Sequence, residues 1–195
     1  MSFVITIGRQ YGSGGRFIGK KLAELLGVNF YDNELITTAA TQSGLSKAVL
    51  DNYDEKKDGF FTGVVPSSFG ADMSLSQKVF LAQFEAIKAI ADRESCVIVG
   101  RCADYVLREN PNVVNIFITA PIEARVERAV KYYNLDTKKA KETILKMDKK
   151  RASYYNFYSD KKWGRAESYN LTIDSSVGID ACLLYTSPSP RDKRQ

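Results

Sequence analysis

The stretch Val4-Ile5-Thr6-Ile7-Gly8-Arg9-Gln10-Tyr11-Gly12-Ser13-Gly14-Gly15-Arg16, continuing from Phe17 to Leu26, decides how this chain is read. It predicts a short buried strand, a glycine-rich turn and an amphipathic helix. Gly12, Gly14 and Gly15 carry no Cβ, so successive backbone N–H groups can close around an anion. The helix that follows aims its unpaired N–H groups and positive dipole end at the same point. Together they predict a phosphate cradle made of Gly12, Ser13, Gly14, Gly15, Arg16 and Phe17.

The cradle departs from the Gly-x-x-x-x-Gly-Lys-Ser/Thr pattern at three places. Arg9 stands at the first glycine, Gly15 at the lysine and Arg16 at the hydroxyl. Arg16 is expected to supply the charge that lysine gives elsewhere, with a wider, forked guanidinium. The plain alternative for it is a solvated arginine in the first helical turn.

Outward from the loop, strand and helix signals alternate. The first strand is Phe3 to Ile7, and the first helix puts Ile18, Leu22, Leu25 and Leu26 on one face before Gly27. Val28 to Tyr31 predicts a second strand, and Asp32 can cap a helix starting near Asn33. Residues 33–57 predict two helices split at Ser43-Gly44. Residues 58–73 are aperiodic and predict a mobile insertion. Ser74-Leu75-Ser76-Gln77 predicts a capping box opening a helix with Phe80, Phe84, Ile87 and Ala91 on one face. Cys96 to Val99 predicts a buried strand ending at Gly100-Arg101, followed by a short helix near Ala103 to Arg108. Val113 to Ile118 is the next strand, with a helix after Pro121 lined by Ile122, Val126, Ala129, Val130 and Tyr133. Asp136 caps a lysine-rich helix running to Arg151. Tyr154 to Arg165 is aromatic and charged, and Tyr169 to Ile173 is the last strand.

Five strands alternating with longer helices predict a parallel sheet with helices on both faces and right-handed crossovers. Ligands of such sheets sit at the C-terminal strand ends. The loop, Asp32, Gly100-Arg101 and Thr119 all fall there. Asp32 is a candidate for orienting an acceptor hydroxyl or a magnesium-bound water, with helix capping as the alternative. Arg101 is a candidate phosphate cation, with an ordinary surface arginine as the alternative. Arg151 borders a basic, aromatic segment that could close as a lid. Asp104 is expected to be a surface carboxylate, Lys138 to Lys141 a solvated face, and Tyr154, Tyr155 and Tyr158 packing residues.

Bulk composition narrows the class. Hydrophobic content of 44% and charged content of 26% suit one globular domain of 195 residues. No apolar run is long enough for a membrane span, and Met1-Ser2-Phe3 leading straight into the first strand sets the expectation of no signal peptide. Three cysteines make neither a disulfide framework nor a zinc pattern, which favours a reducing cytoplasm. With no histidine, histidine-based triads and metal sites are excluded. Residues 182–195 lack periodicity, and Cys182 to Asp192 back-translates codon for codon as a widely used transposase sequencing adapter. That segment is expected to be a translated adapter artefact, with the natural C-terminus missing and residues 1–181 forming the domain. The net charge is +5. Without the segment's three Lys/Arg and one Asp it is +3, which is no nucleic-acid footprint.

The order of these pieces resembles the cytidylate kinase-like family of P-loop nucleoside monophosphate kinases. The resemblance lies in "ITIGRQYGSGGR", "NFYD", "CVIVGRCADYVL", "NIFITAPIEARVERA", the basic segment and "LTIDSS", and it covers nearly all of residues 3–181. It implies a three-layer P-loop kinase fold, a small acceptor-binding insertion at about 33–73 and a lid at about 151–165. It also implies ATP and magnesium. By position, the glycine loop would hold the donor phosphates, Arg101 the acceptor phosphate and Arg151 the transferring group. Several family features differ here. Cys102 rather than Asp follows Arg101, Asp32-Asn33-Glu34 replaces the longer acceptor-binding segment, and Arg151-Ala152-Ser153-Tyr154-Tyr155 replaces the lid's repeated Arg-Asp. The expected activity is an ATP-dependent small-molecule kinase acting on a nucleoside monophosphate, CMP- or dCMP-like, or a related phosphate-bearing metabolite. The alternative is a catalytically impaired nucleotide-binding module that acts as a sensor or binds a partner. A dinucleotide-binding dehydrogenase is disfavoured: the loop is not Gly-x-Gly-x-x-Gly, and Asp32 comes too early for the ribose acid.

Overall fold

Every strand pairs in parallel, and the strand order is β2-β3-β1-β4-β5. This arrangement comes from a computed structural model that describes residues 2–42 and 75–186. The strands are β1 (Val4–Arg9), β2 (Asn29–Tyr31), β3 (Cys96–Val99), β4 (Val113–Thr119) and β5 (Leu171–Asp174). The α-helices among the described residues are α1 (Gly15–Leu26), α2 (Asn33–Gln42), α3 (Leu75–Arg93), α4 (Ala103–Val106), α5 (Ile122–Tyr133), α6 (Thr137–Tyr158) and α7 (Ile179–Thr186). The second helix expected before residue 57, the aperiodic insertion and the box beginning at Ser74 lie outside the described residues.

Side chains alternate across β1 and divide the core in two. Ile5 and Ile7 join Ile18 and Leu22 of α1, Val97, Val99, Ile116, Ile118 and Ile173 on one face. Val4 joins Cys96, Ile98, Ile36 of α2, Ile87 and Ile90 of α3, and Val106 on the other. The sheet is therefore sandwiched between helices, the three-layer arrangement expected from the sequence.

Several local expectations need correction. In α1 the buried face is Ile18, Gly19, Leu22 and Ala23, while Leu25 is exposed. Gly19 brings the helix against the sheet: a Cβ there would meet Val99 Cγ2 at 2.9 Å. The lid segment is helical through Tyr158, because no breaker interrupts it before Ser159. The tail expected to be irregular contains α7 up to Thr186. Cys182 and Leu183 pack against the α1 face of the sheet, two apolar side chains that the helix sets on the core.

Candidate functional site

The glycine loop joins β1 to α1 and is held from beneath by paired groups. Gln10 N–H donates to Ile118 C=O at 3.0 Å, and its Oε1 accepts from Thr119 Oγ1 at 2.6 Å. Ser13, fully buried, donates its hydroxyl to Gln10 C=O at 2.9 Å. The Ser13 carbonyl accepts from Ser175 Oγ at 2.7 Å. Arg128 brackets Ser175, donating to its Oγ at 2.8 Å and its carbonyl at 2.7 Å. Tyr11 N–H donates to Asp148 Oδ1 at 2.7 Å, and Asp148 Oδ2 pairs with the buried Arg125. Gly12 must be glycine: its φ is +76° and an added Cβ would meet the Arg125 carbonyl oxygen at 2.7 Å. These contacts fix the loop before any ligand arrives, as electrostatic preorganisation requires.

The mouth of the loop is of the opposite character. Asp32, buried at the end of β2, accepts from Arg16 Nε at 2.8 Å and Arg16 Nη2 at 2.6 Å through Oδ2. Its Oδ1 accepts from the Glu34 and Leu35 amides and caps α2. Burial alone would raise the Asp32 pKa, but the Arg16 hydrogen bond and the two amides outweigh it and hold the carboxyl below its usual range. Arg16 thus turns toward β2, with 62% of its side chain exposed. Phe17, half exposed, lies beneath Lys21 Nζ rather than over the loop.

Arg101 leaves the end of β3 in an unusual backbone. Gly100, Arg101 and Cys102 have φ values of +84°, +56° and +54°. For residues carrying a Cβ, that left-handed conformation costs on the order of 1 kcal/mol or more each. The turn brings Arg101 back over the sheet edge, where Nε pairs with Asn33 Oδ1 and the guanidinium lies 5.7 Å from the Tyr154 ring. Cys102 is buried, and burial pushes its thiol up to about 12, which makes it an inert packing group. Arg151, on α6, donates to the Arg9 carbonyl at 3.1 Å and sits 5.3 Å from the Tyr11 ring. Burial lowers its pKa, with Asp148, Tyr11 and Tyr133 opposing that shift.

The residue that sequence reasoning left unassigned is Arg9. Its guanidinium crosses from β1 to Gly100 at the end of β3, where a Cβ would land on Nη1. Its pKa is lowered to about 9, first by burial and then by the fields of Arg151 and Arg101. Asp32 is the carboxylate that opposes this, and both its oxygens are engaged elsewhere. The usable signal in the sequence was a paired departure: an arginine at the first-glycine position together with a glycine at the lysine position.

Asp104, expected on the surface, is buried and accepts from the Tyr155 hydroxyl at 2.5 Å. The short α4 turns it inward beneath α6, so it ties those two helices together. Burial raises its pKa, with the Tyr155 hydrogen bond opposing the shift. Lys138, Lys139 and Lys141 are exposed as expected.

Asp32, Arg16, Arg101, Arg151 and the loop therefore share one sheet edge. Among the described residues no group of three or more His, Cys, Asp or Glu side chains could hold a metal ion. Asp32 is the carboxylate placed at the mouth.

Comparisons with known proteins agree with this geometry. A solved structure described as an uncharacterized protein from Eubacterium ventriosum superposes with a TM-score of 0.70 at 31% identity, covering 94% of this chain and 98% of its own. A shikimate kinase from Bacteroides thetaiotaomicron (TM-score 0.56, 14% identity, 94% and 95% covered) and a gluconokinase from Sinorhizobium meliloti (0.55, 13%, 99% and 98%) share the fold. A cytidylate kinase from Methanopyrus kandleri is 24% identical over 182 residues, 90% of this chain and 86% of that protein. Residues 4–177 match the cytidylate kinase-like family, and with its P-loop kinase fold the chain belongs to that family.

Proposed function

We propose that this protein is an ATP-dependent kinase for a small phosphate-bearing acceptor, with a nucleoside monophosphate such as CMP or dCMP as the first candidate. The observation that carries the reading is that Arg101 and Arg151 both act on Arg9, at the start of a pinned glycine loop that leads into α1. Phosphoryl transfer needs positioned cations and backbone donors around the migrating group, and little covalent chemistry from the protein. The amides of Gly12 to Phe17 would hold the donor phosphates, Arg101 the acceptor phosphate and Arg151 the group in transfer. Asp32 would orient the acceptor hydroxyl or a metal-bound water by exchanging its Arg16 bond for that group. Magnesium fits as an ion carried by the nucleotide, since it usually takes one or two carboxylates plus phosphate oxygens. When bound it neutralises the phosphates. Three free, buried cysteines agree with a reducing, cytoplasmic setting. No described helix is long and apolar enough to cross a membrane.

A second reading has its own support. The P-loop lysine and hydroxyl are replaced, and Arg16 is committed to Asp32. A nucleotide-binding module with impaired catalysis would tolerate both. ADP release from Mg-ATP, measured with a panel of nucleoside monophosphates, shikimate and gluconate, separates the two. Acceptor-dependent release at more than ten times the acceptor-free rate supports the kinase. ATP binding without any such release supports the module.

A further inference from the structure

Position 15 is where a P-loop carries its lysine, and here it has no side chain. The space such a side chain would enter is already filled. A Cβ built on Gly15 would meet Arg9 Cβ at 2.6 Å and Arg9 Cγ at 3.2 Å. Real Cβ atoms do not approach that closely, and the obstacle is the root of the Arg9 side chain, which cannot swing aside. Further out, the Arg9 guanidinium rests on Gly100, the other residue that lacks a Cβ for its sake. Arg9 is thus threaded between the first residue of α1, Gly15, and the residue after β3, Gly100, and these glycines are the two clearances it needs.

The guanidinium threaded there has no ion pair or hydrogen bond among the described residues. It is half-buried and lies in the combined field of Arg151, Arg101 and Arg16. Arg125, a buried arginine elsewhere in the structure, is paired with Asp148, as buried cations generally are. A cation packed among three like charges, its one opposing carboxylate Asp32 already bonded to Arg16 and the α2 amides, stores an electrostatic penalty that a bound polyanion removes.

We propose that Arg9 is the donor-phosphate cation of this protein, performing from the first-glycine position the task that a P-loop lysine performs from the position of Gly15. The cation has moved across the loop rather than been lost, and Arg16 is a structural partner of Asp32. A guanidinium at this point binds two phosphate oxygens as a fork, so the site takes a nucleoside di- or triphosphate in preference to the bare nucleoside. The proposal rests on the kinase reading for the identity of the ligand, but it concerns binding and is tested without turnover.

The test is calorimetric titration of full-length wild type with Mg-ATP, ADP and adenosine. The same titrations are run on Arg9→Gln, Arg9→Lys, Gly15→Lys and the double variant Arg9→Gly with Gly15→Lys. Circular dichroism melts accompany each protein. Loss of one charge-assisted contact predicts ATP binding weakened roughly 10- to 100-fold in Arg9→Gln, with a smaller deficit in Arg9→Lys. Gly15→Lys alone is expected to melt lower and bind worse than wild type. The double variant recovers most of the ATP affinity, because removing the Arg9 side chain opens the space. Arg9→Gln binding ATP as wild type does, while still folded, overturns the proposal and leaves the kinase reading standing. So does a Gly15→Lys variant that keeps wild-type stability and affinity. If the single variants fail to fold, the double variant decides alone: recovery supports the relocation, and a folded double variant that binds no ATP overturns it. Wild type that binds neither ATP nor ADP overturns both readings.

Discussion

The floor and the mouth of the glycine loop are built on opposite rules. Below the loop, Ser13, Ser175, Gln10 and Thr119 are joined by hydrogen bonds of 2.6 to 2.9 Å, with Arg128 bonded to Ser175 and Asp148 to Tyr11 N–H and Arg125. At the mouth, Arg16, Arg101 and Arg151 all act on Arg9, and the carboxylate that opposes them there, Asp32, is spent on Arg16 and on capping α2. The floor is arranged for stability. The mouth holds positive charge in place for an anion, at some expense in stability. A group that serves binding should therefore affect activity more than folding, and a group that serves the frame should do the reverse.

The largest effect tests the mouth. Arg151→Ala is expected to lower acceptor-dependent turnover by about 10² to 10³, the usual result of deleting one preorganised donor to a transferring group. Thermal melts should shift by only a few degrees. A large fall in melting temperature with turnover preserved would break the division between mouth and floor. Next is the floor itself. Ser175→Ala removes the shorter of two donors to the Ser13 carbonyl, leaving Arg128 Nη1 at 3.3 Å, and takes the Oγ acceptor from Arg128. A loss of about 1–3 kcal/mol in urea unfolding is expected, from two buried hydrogen bonds removed, one of them to a charged group. Turnover at saturating nucleotide should change less than in Arg151→Ala.

A third prediction concerns the tie between α4 and α6, away from the charge cluster. Tyr155→Phe leaves a buried Asp104 without its donor and should cost about 1–3 kcal/mol. The pH dependence sharpens this. The Asp104 pKa is raised on folding, so the folded chain holds its proton above the ordinary value of 3.8, where the unfolded chain has released it. The stability so gained is full below 3.8 and is lost as pH rises through the higher folded value. Asp104→Asn should remove that slope, read from urea midpoints between pH 4 and pH 8. An unchanged slope would mean that Asp104 is not its source.

The smallest effect is reserved for Arg16. Its pair with Asp32 is largely exposed on the arginine side, so Arg16→Gln should cost no more than about 1 kcal/mol. The Asp32 pKa is depressed in the folded chain, so its contribution is present above 3.8 and lost as pH falls through the lower folded value. In Arg16→Gln, acid unfolding should begin at a higher pH. ATP affinity falling further in this variant than in Arg9→Gln would move the phosphate cation back to Arg16.

What the sequence made legible was local. The strand, turn and helix around Gly12 to Gly15 follow from β-branched alternation, absent Cβ atoms and 3.6-residue periodicity, which neighbouring residues carry themselves. The same holds for the Asp32 and Asp136 caps, both present. Asp104 was misread because its burial depends on Tyr155, fifty-one residues further along the chain. The placement of the Arg9 and Arg16 side chains was not legible for a related reason. Position in a motif tells where a Cα lies, whereas the destination of a long side chain depends on what stands beside it. β3 lies next to β1 in the register Ile7–Val99, so Gly100 comes level with the end of β1 and leaves a gap that Arg9 fills. The sequence by itself determined a glycine loop between strand and helix on a parallel sheet. Only tertiary packing decided where the Arg9 and Arg16 side chains lie, because the clearances at Gly15 and Gly100 exist only once β1, α1 and β3 have come together.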